Sequence, residues 1–436
     1  MLNLTSPLDS PLSLLSKPQF SQRWAKTLVS RQLEQMQTGG VVLHAGTELH
    51  FGKVTADFPL SADIFVEDDA FFRDILFGGV VGAAEAYMAG YWRCSNLVDL
   101  VRILIRNRPV LEGMNGHSAW LTRKLRKLMH SYHLNTRQGS RRNIAAHYDL
   151  GNDFFQLFLD ETLLYSCAYF ERPEASLYQA SIAKLALICA KLQLKPEDHV
   201  IEVGCGWGGF AEYAATHYGC RVTATTISRQ QFDFAQQRIQ AAGLSDRVTL
   251  LFEDYRDLTG TYDKLVSIEM VEAIGHQYYE TYFAKCAQLL KPDGLALIQA
   301  ITIADQQYEK ARDDVDFIKR YIFPGSCIPS VTALVQAMAK ASDFNLLHLQ
   351  DIGAHYALTL QRWREAFLER LDTVREQGYS EEFIRMWEFY LAYCEGAYRE
   401  RAIGNAHLLL AKSLYRETDG INNAQHYQGD TAHESL

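Results

Sequence analysis

The chain has 436 residues, 48% of them hydrophobic and 22% charged, which allows one large core or two modest ones and excludes wholesale disorder. Its net charge of −9 argues against a nucleic-acid partner. Eight scattered cysteines, none at CxxC spacing, predict reduced thiols in a cytoplasmic protein and neither a disulfide frame nor a metal site.

Residues 1–20 hold prolines and serines without a basic start before an apolar run, so no secretory leader is expected. No stretch approaches the roughly 18 consecutive apolar residues of a membrane span, which predicts a soluble or surface-bound protein. To about residue 137, short alternating runs (41–44, 49–51) mix with apolar helical stretches, punctuated by Gly78, Gly79, Gly82 and Gly90. Between Glu112 and Asp149 there is no acidic residue, while Arg123, Lys124, Arg126, Lys127, Arg137, Arg141 and Arg142 crowd the interval. Leu121, Leu125, Leu128 and Tyr132 recur there at helical spacing, which suits either an anionic bilayer surface or a connecting helix packed on a neighbour. The polar run 135–142 reads as a linker.

From about residue 143 to 303, strand and helix patterns alternate as in a doubly wound sheet. Strands are expected at 199–203, 221–226, 248–252, 264–268 and 295–300, with helices after 209, at 230–242 and at 278–290, the last stopped by Lys291-Pro292-Asp293-Gly294. The remainder is mainly helical, with strands near 344–349 and 407–410 that could complete the sheet. Residues after about 417 form a polar tail.

The first strand feeds Gly204-Cys205-Gly206-Trp207-Gly208-Gly209, a G-x-G-x-x-G spacing through Gly204, Gly206 and Gly209 that admits a dinucleotide. The second strand, however, ends in Thr225-Thr226 and lacks the carboxylate that would hold a ribose diol. Glu202 sits instead within the first strand. Asp254 follows the third strand, placed either to accept from an adenine amine or to cap a helix. S-adenosylmethionine, which has no pyrophosphate and needs scattered polar contacts, suits this set better.

These residues resemble the cyclopropane-fatty-acyl-phospholipid synthases and the related mycolic acid and fatty-acid methyltransferases. The resemblance runs from residues 79–87 (GVVGAAEAY) through 147–155 (HYDLGNDFF), 165–170 (YSCAYF), 203–209 and 253–258 (EDYRDL) to the last strand. It implies a Rossmann-like class I methyltransferase sheet with helical insertions (143–416), preceded by a smaller α+β lipid-binding domain (1–134). Tyr165, Ser166, Glu202, Gly204, Cys205, Gly206, Gly208 and Gly209 would contact S-adenosylmethionine, with Thr226 and Gln231 on its ribose side and Asp254 and Tyr255 near adenine.

By the same resemblance the reaction adds the sulfonium methyl to an acyl-chain double bond. The resulting carbocation then loses a proton to close a cyclopropane. The base would be a bicarbonate ion held at Cys167, Glu272, the Ile301 backbone and Tyr356, with Glu269 the nearest competitor to Glu272. Gln299 stands where bacterial members commonly carry histidine. A glutamine there, with the run 316–325, resembles a subgroup that includes plant cyclopropane synthases. Gln299 could hold bicarbonate but could not titrate near neutrality, which leaves a ring, a methylene or a methyl branch open as product. Cys394, matching a cysteine sometimes assigned to catalysis, reads as a packing residue. The implied setting is a homodimer in the cytoplasm, peripheral to the inner face of the membrane, acting on unsaturated phospholipid. A small-molecule methyltransferase and a non-enzymatic lipid-binding scaffold are the competing readings.

Overall fold

The computed structural model describes residues 18–110 and 151–416. These fall into two compact units divided within the intervening segment. The basic run, the linker, the start of the 147–155 run and the tail lie outside the described residues.

In the first unit a helix (Pro18–Leu33) precedes strands β1 (Gly39–His44), β2 (Glu48–Lys53) and β3 (Ser61–Val66), a helix (Ala70–Met88), β4 (Trp92–Cys94) and a helix (Leu97–Arg106). The sheet order is β2-β1-β3-β4, with β1 and β3 parallel and the other pairs antiparallel. Alternation on β1 sends Val41 and Leu43 to one buried face, where Ala62 and Ile64 of β3 join the core. Buried Asn107 ties the last helix to the entry of β1, accepting from Gln37 N at 2.8 Å and donating to Thr38 O at 2.7 Å. The apolar run 70–88 is broken at Gly79, whose φ of +58° and ψ of −138° only glycine adopts at ease. The kink presses Gly82 on the Asp74 carbonyl, where a Cβ would lie 1.9 Å from the oxygen.

The second unit is built on a seven-stranded sheet: β5 (His199–Val203), β6 (Arg221–Thr225), β7 (Val248–Leu251), β8 (Tyr262–Ile268), β9 (Leu290–Ile303), β10 (Asn345–Asp351) and β11 (Ile403–Ala411). The order is β10-β11-β9-β8-β5-β6-β7. β5 to β9 run parallel, and β11 enters antiparallel to both β9 and β10. The central strands are continuous apolar runs because both faces are covered. Leu295 and Leu297 of β9 join Leu185, Phe210 and Leu409 on one face, while Ala296 and Ile298 join Phe283, Leu334 and Leu408 on the other.

One sequence expectation shifts. Residues 291–294 do not separate helix from strand but bulge within β9, because Tyr262 pairs with Leu290 and Lys264 with Leu295. The bulge's carbonyls find partners in the chain's end: Lys412 N donates to Gly294 O and Leu414 N to Pro292 O, each at 3.0 Å. Strands β10 and β11 do complete the sheet, and the long helices Gly353–Glu369 and Glu381–Arg399 are inserted between them.

Candidate active site

β5 has β6 on one side and β8 on the other, so the loop after it opens at the point where strand order reverses. Gly204 N and Cys205 N both donate to Thr225 O, at 3.1 and 2.8 Å, which ties the loop to the end of β6. Gly204, Gly206 and Gly208 have φ of +91°, +52° and +84°. A Cβ on Gly206 would meet nothing within 4 Å, whereas one on Gly209 would lie 2.6 Å from Thr162 O. The loop is thus closed on one side and open at Gly206. The helix Gly209–Tyr218 starts at its end, with free N–H groups toward any ligand there.

Glu202 is buried and its Oε2 has no hydrogen-bond partner. Burial pushes its carboxyl up to about 8, opposed by the buried Lys184 ammonium. Lys184 in turn donates to Ser166 Oγ at 2.6 Å. Tyr165 shares a 2.8 Å hydrogen bond with Tyr390 and stacks on Trp363 at 5.1 Å. Thr226 Oγ1 donates to Gln231 Oε1 at 3.0 Å. Asp254 caps the single turn Tyr255–Asp257, and both its oxygens are engaged by Arg256, at 2.8 and 2.7 Å. The Tyr255 hydroxyl is buried without a partner. An unpartnered buried carboxylate oxygen, an unpartnered phenol and open space at Gly206 fit a ligand with a cationic end and an adenosine, as S-adenosylmethionine has.

The loop leads directly to the carboxylates. A Cβ on Gly204 would lie 2.9 Å from Met270 Cγ, and Met270 stands between Glu269 and Glu272 at the carboxyl end of β8. Glu269 has a φ of +49°, a left-handed conformation that is strained for a long side chain. Its Oε1 accepts from Cys167 N at 3.0 Å, Gln299 Nε2 at 2.8 Å and Asn405 Nδ2 at 2.6 Å. Its Oε2 accepts from the Tyr356 hydroxyl at 2.8 Å. Glu272 opens the short helix Val271–Ile274; its Oε1 accepts from Ile301 N at 2.5 Å and its buried Oε2 has no partner.

The two carboxyls therefore differ in kind. Burial raises both, but the donors at Glu269 oppose it, whereas Glu272 is pushed up to about 8 by burial and by the charge of Glu269. The four donors favour charge on Glu269, whereas Glu272, at about 8, keeps its proton at neutral pH. Burial also pushes the Cys167 thiol well up, so Cys167 contributes its backbone N–H and not a thiolate. Cys394, in the helix Glu381–Arg399, is likewise pushed up by burial.

Gln299 is wholly buried, with its amide orientation set from behind. Its Oε1 lies 3.0 Å from His407 Nε2, and His407 Nδ1 lies 3.0 Å from Lys191 Nζ. Burial lowers Lys191 to about 7; in its protonated form it can only donate, so His407 then accepts at Nδ1 and donates from Nε2, and the Gln299 NH2 faces Glu269. Burial keeps His407 neutral by lowering its pKa well below the usual range.

The structure places Cys167, Gln299 and Tyr356 on Glu269 and the Ile301 backbone on Glu272, residues that the family resemblance singles out. It differs in what lies there. The donors Cys167 N, Gln299 Nε2 and Tyr356 OH, expected to hold bicarbonate, converge on Glu269, and Ile301 N is committed to Glu272. As the side chains stand, these donors are taken by the two carboxyls. Asn405, His407, Lys184 and Lys191 were not legible in the sequence, since only strand pairing and burial bring them in. Among the described residues no group of metal-ligating side chains forms, and no helix is long and apolar enough to cross a membrane.

Residues 135–408 match the family model for mycolic acid cyclopropane synthetase. The chain is 37% identical over 349 residues to tuberculostearic acid methyltransferase UfaA1 of Mycobacterium tuberculosis, covering 78% of this chain and 81% of that one. It is 38% identical over 344 residues to the cyclopropane-fatty-acyl-phospholipid synthase of Escherichia coli K12, covering 78% and 86%. Among solved structures, mycolic acid cyclopropane synthase CmaA1 in complex with SAH and CTAB superposes with a TM-score of 0.59 at 32% identity, over 62% of this chain and 98% of that one.

Proposed function

The chain belongs to the mycolic acid cyclopropane synthetase family and is an S-adenosylmethionine-dependent methyltransferase, and from this premise we propose that it modifies the double bond of an unsaturated phospholipid acyl chain. The observation behind this reading is the buried carboxylate at the end of β8, one strand from the glycine loop and joined to it through Met270. Methylation of an amine or hydroxyl can pass its proton to an exposed base or to solvent. Attack of an alkene on a sulfonium methyl instead leaves a carbocation that must lose a proton where water, which would capture it, is excluded.

In this reading Glu202, Tyr255, Ser166 and the loop glycines position the methyl donor, with Thr226 and Gln231 on the ribose side. Lys184 sets the Ser166 hydroxyl. The alkene's π electrons form the new C–C bond as the C–S bond breaks, releasing a neutral thioether. The aromatic wall of Tyr165, Trp363 and Phe323 shields the site from water that would capture the cation. We place the reaction at a membrane surface, supported by the composition of the basic run 121–142; vesicle co-sedimentation tests it, and light scattering tests the expected homodimer.

The product reading favoured is the ring, as the E. coli relative's name states for that protein. UfaA1 is named a methyltransferase and not a cyclopropane synthase, so a methyl branch is the second reading. Expression in a host that lacks both modifications, followed by mass spectrometry of its fatty acids, decides. An added CH2 unit on an unsaturated chain is expected, and chromatography against standards separates ring from branch. Absence of any added carbon would overturn the lipid reading.

A further inference from the structure

We infer that the Glu269 carboxylate itself is the base of the reaction, occupying the position at which a bicarbonate ion was expected. The inference rests on the lipid-alkene reading for its substrate, but its geometry stands alone. Three donors from separate segments, Cys167 N, Gln299 Nε2 and Asn405 Nδ2, fix Oε1. Oε2 has one donor, Tyr356 OH at 2.8 Å, and a carboxylate oxygen accepts two, so one lone pair of Oε2 stays open to a substrate proton. A backbone φ of +49° is held at this residue and at few other non-glycine positions of the described chain. Strain kept at a buried, charged side chain is a mark of function.

The step balances without a co-reactant. Once the methyl has moved, a C–H bond of that new methyl breaks. Its electron pair closes the ring onto the cationic carbon, and the proton goes to Glu269 Oε2. A hydride shift before proton loss gives an exocyclic methylene instead, and the proton then leaves the same carbon to the same oxygen. Burial, which raises the Glu269 carboxyl from the ordinary range, makes it a stronger base than a solvated glutamate. Glu272, kept protonated beside it, adds no competing charge.

The test uses the full-length protein, unsaturated phosphatidylglycerol vesicles and S-adenosylmethionine in degassed buffer with and without added bicarbonate. The wild type is expected to turn over equally in both. Glu269→Gln should bind S-adenosylmethionine normally and lose about 100- to 10,000-fold in rate, with no rescue. Glu269→Gly relieves the positive φ and opens a hole lined by the same four donors, so added bicarbonate should restore part of its activity. Isotope-labelled bicarbonate followed by NMR should be excluded from the wild type and bound by Glu269→Gly. A wild type that loses turnover without bicarbonate or binds the labelled ion, or a Glu269→Gln variant at full rate, would overturn the inference. Failure of the lipid reading is distinguishable: no acyl chain gains carbon, while the labelled-ion spectra still decide who occupies the anion position.

Discussion

Glu269 and Glu272 lie three residues apart, and a sequence cannot choose between them. Helical spacing would put both on one face, but the left-handed φ at Glu269 turns it toward β9 and β11 while Glu272 begins a helix. The difference has a thermodynamic signature. The folded-state pKa of Glu272, about 8, lies above its ordinary 4.5, so the native state holds a proton there that the unfolded chain gives up. Stability is therefore lost as pH rises from one value to the other. Glu272→Gln mimics the protonated form permanently. Its stability gain over wild type should be near zero at about pH 4 and reach a few kcal/mol at about pH 8, read from denaturant melts across that range. An advantage that stayed flat with pH would show that Glu272 is ionised in the fold.

At the scale of elements, the five parallel strands and the glycine loop were legible because apolar runs and G-x-G-x-x-G follow from backbone chemistry alone. The kink at Gly79 was not, because it is a local backbone angle inside an apolar run, nor was the bulge at residues 291–294, whose carbonyls take amides from Lys412 and Leu414. The loop glycines also divide by element. Gly209 sits where helix and loop meet the Thr162 carbonyl, so Gly209→Ala should cost about 1–3 kcal/mol of stability by overpacking. Gly206 faces open space, so Gly206→Ala should cost only about 1 kcal/mol for its φ while weakening S-adenosylmethionine binding about tenfold or more. Calorimetric titration beside a thermal melt separates the two, and a Gly206→Ala variant with unchanged affinity would remove Gly206 from the binding loop.

At the scale of the whole molecule, the second unit has its own sheet and two clusters of buried side chains, one on each face. Mycolic acid cyclopropane synthase CmaA1 is matched over 98% of its own length by 62% of this chain. A fragment of residues 143–436 should therefore melt cooperatively and bind S-adenosylmethionine with near full-length affinity; a fragment that only aggregates would show that the unit depends on the first. The sequence foretold strands near the ends of β10 and β11 but not their consequence, which lies in β11. Of the seven strands of this sheet it is the last in chain order, and it inserts between β9 and β10, bringing Asn405 to Glu269 and His407 to Gln299. Until residue 411 has emerged, β9 has an open edge and Glu269 lacks one of its donors. Synthesis of this one strand thus both seals the sheet and arms its chemistry. A nascent chain from which residue 403 has not yet emerged should engage chaperones and show no methyl transfer, and one from which residue 411 has emerged should lose the first and gain the second.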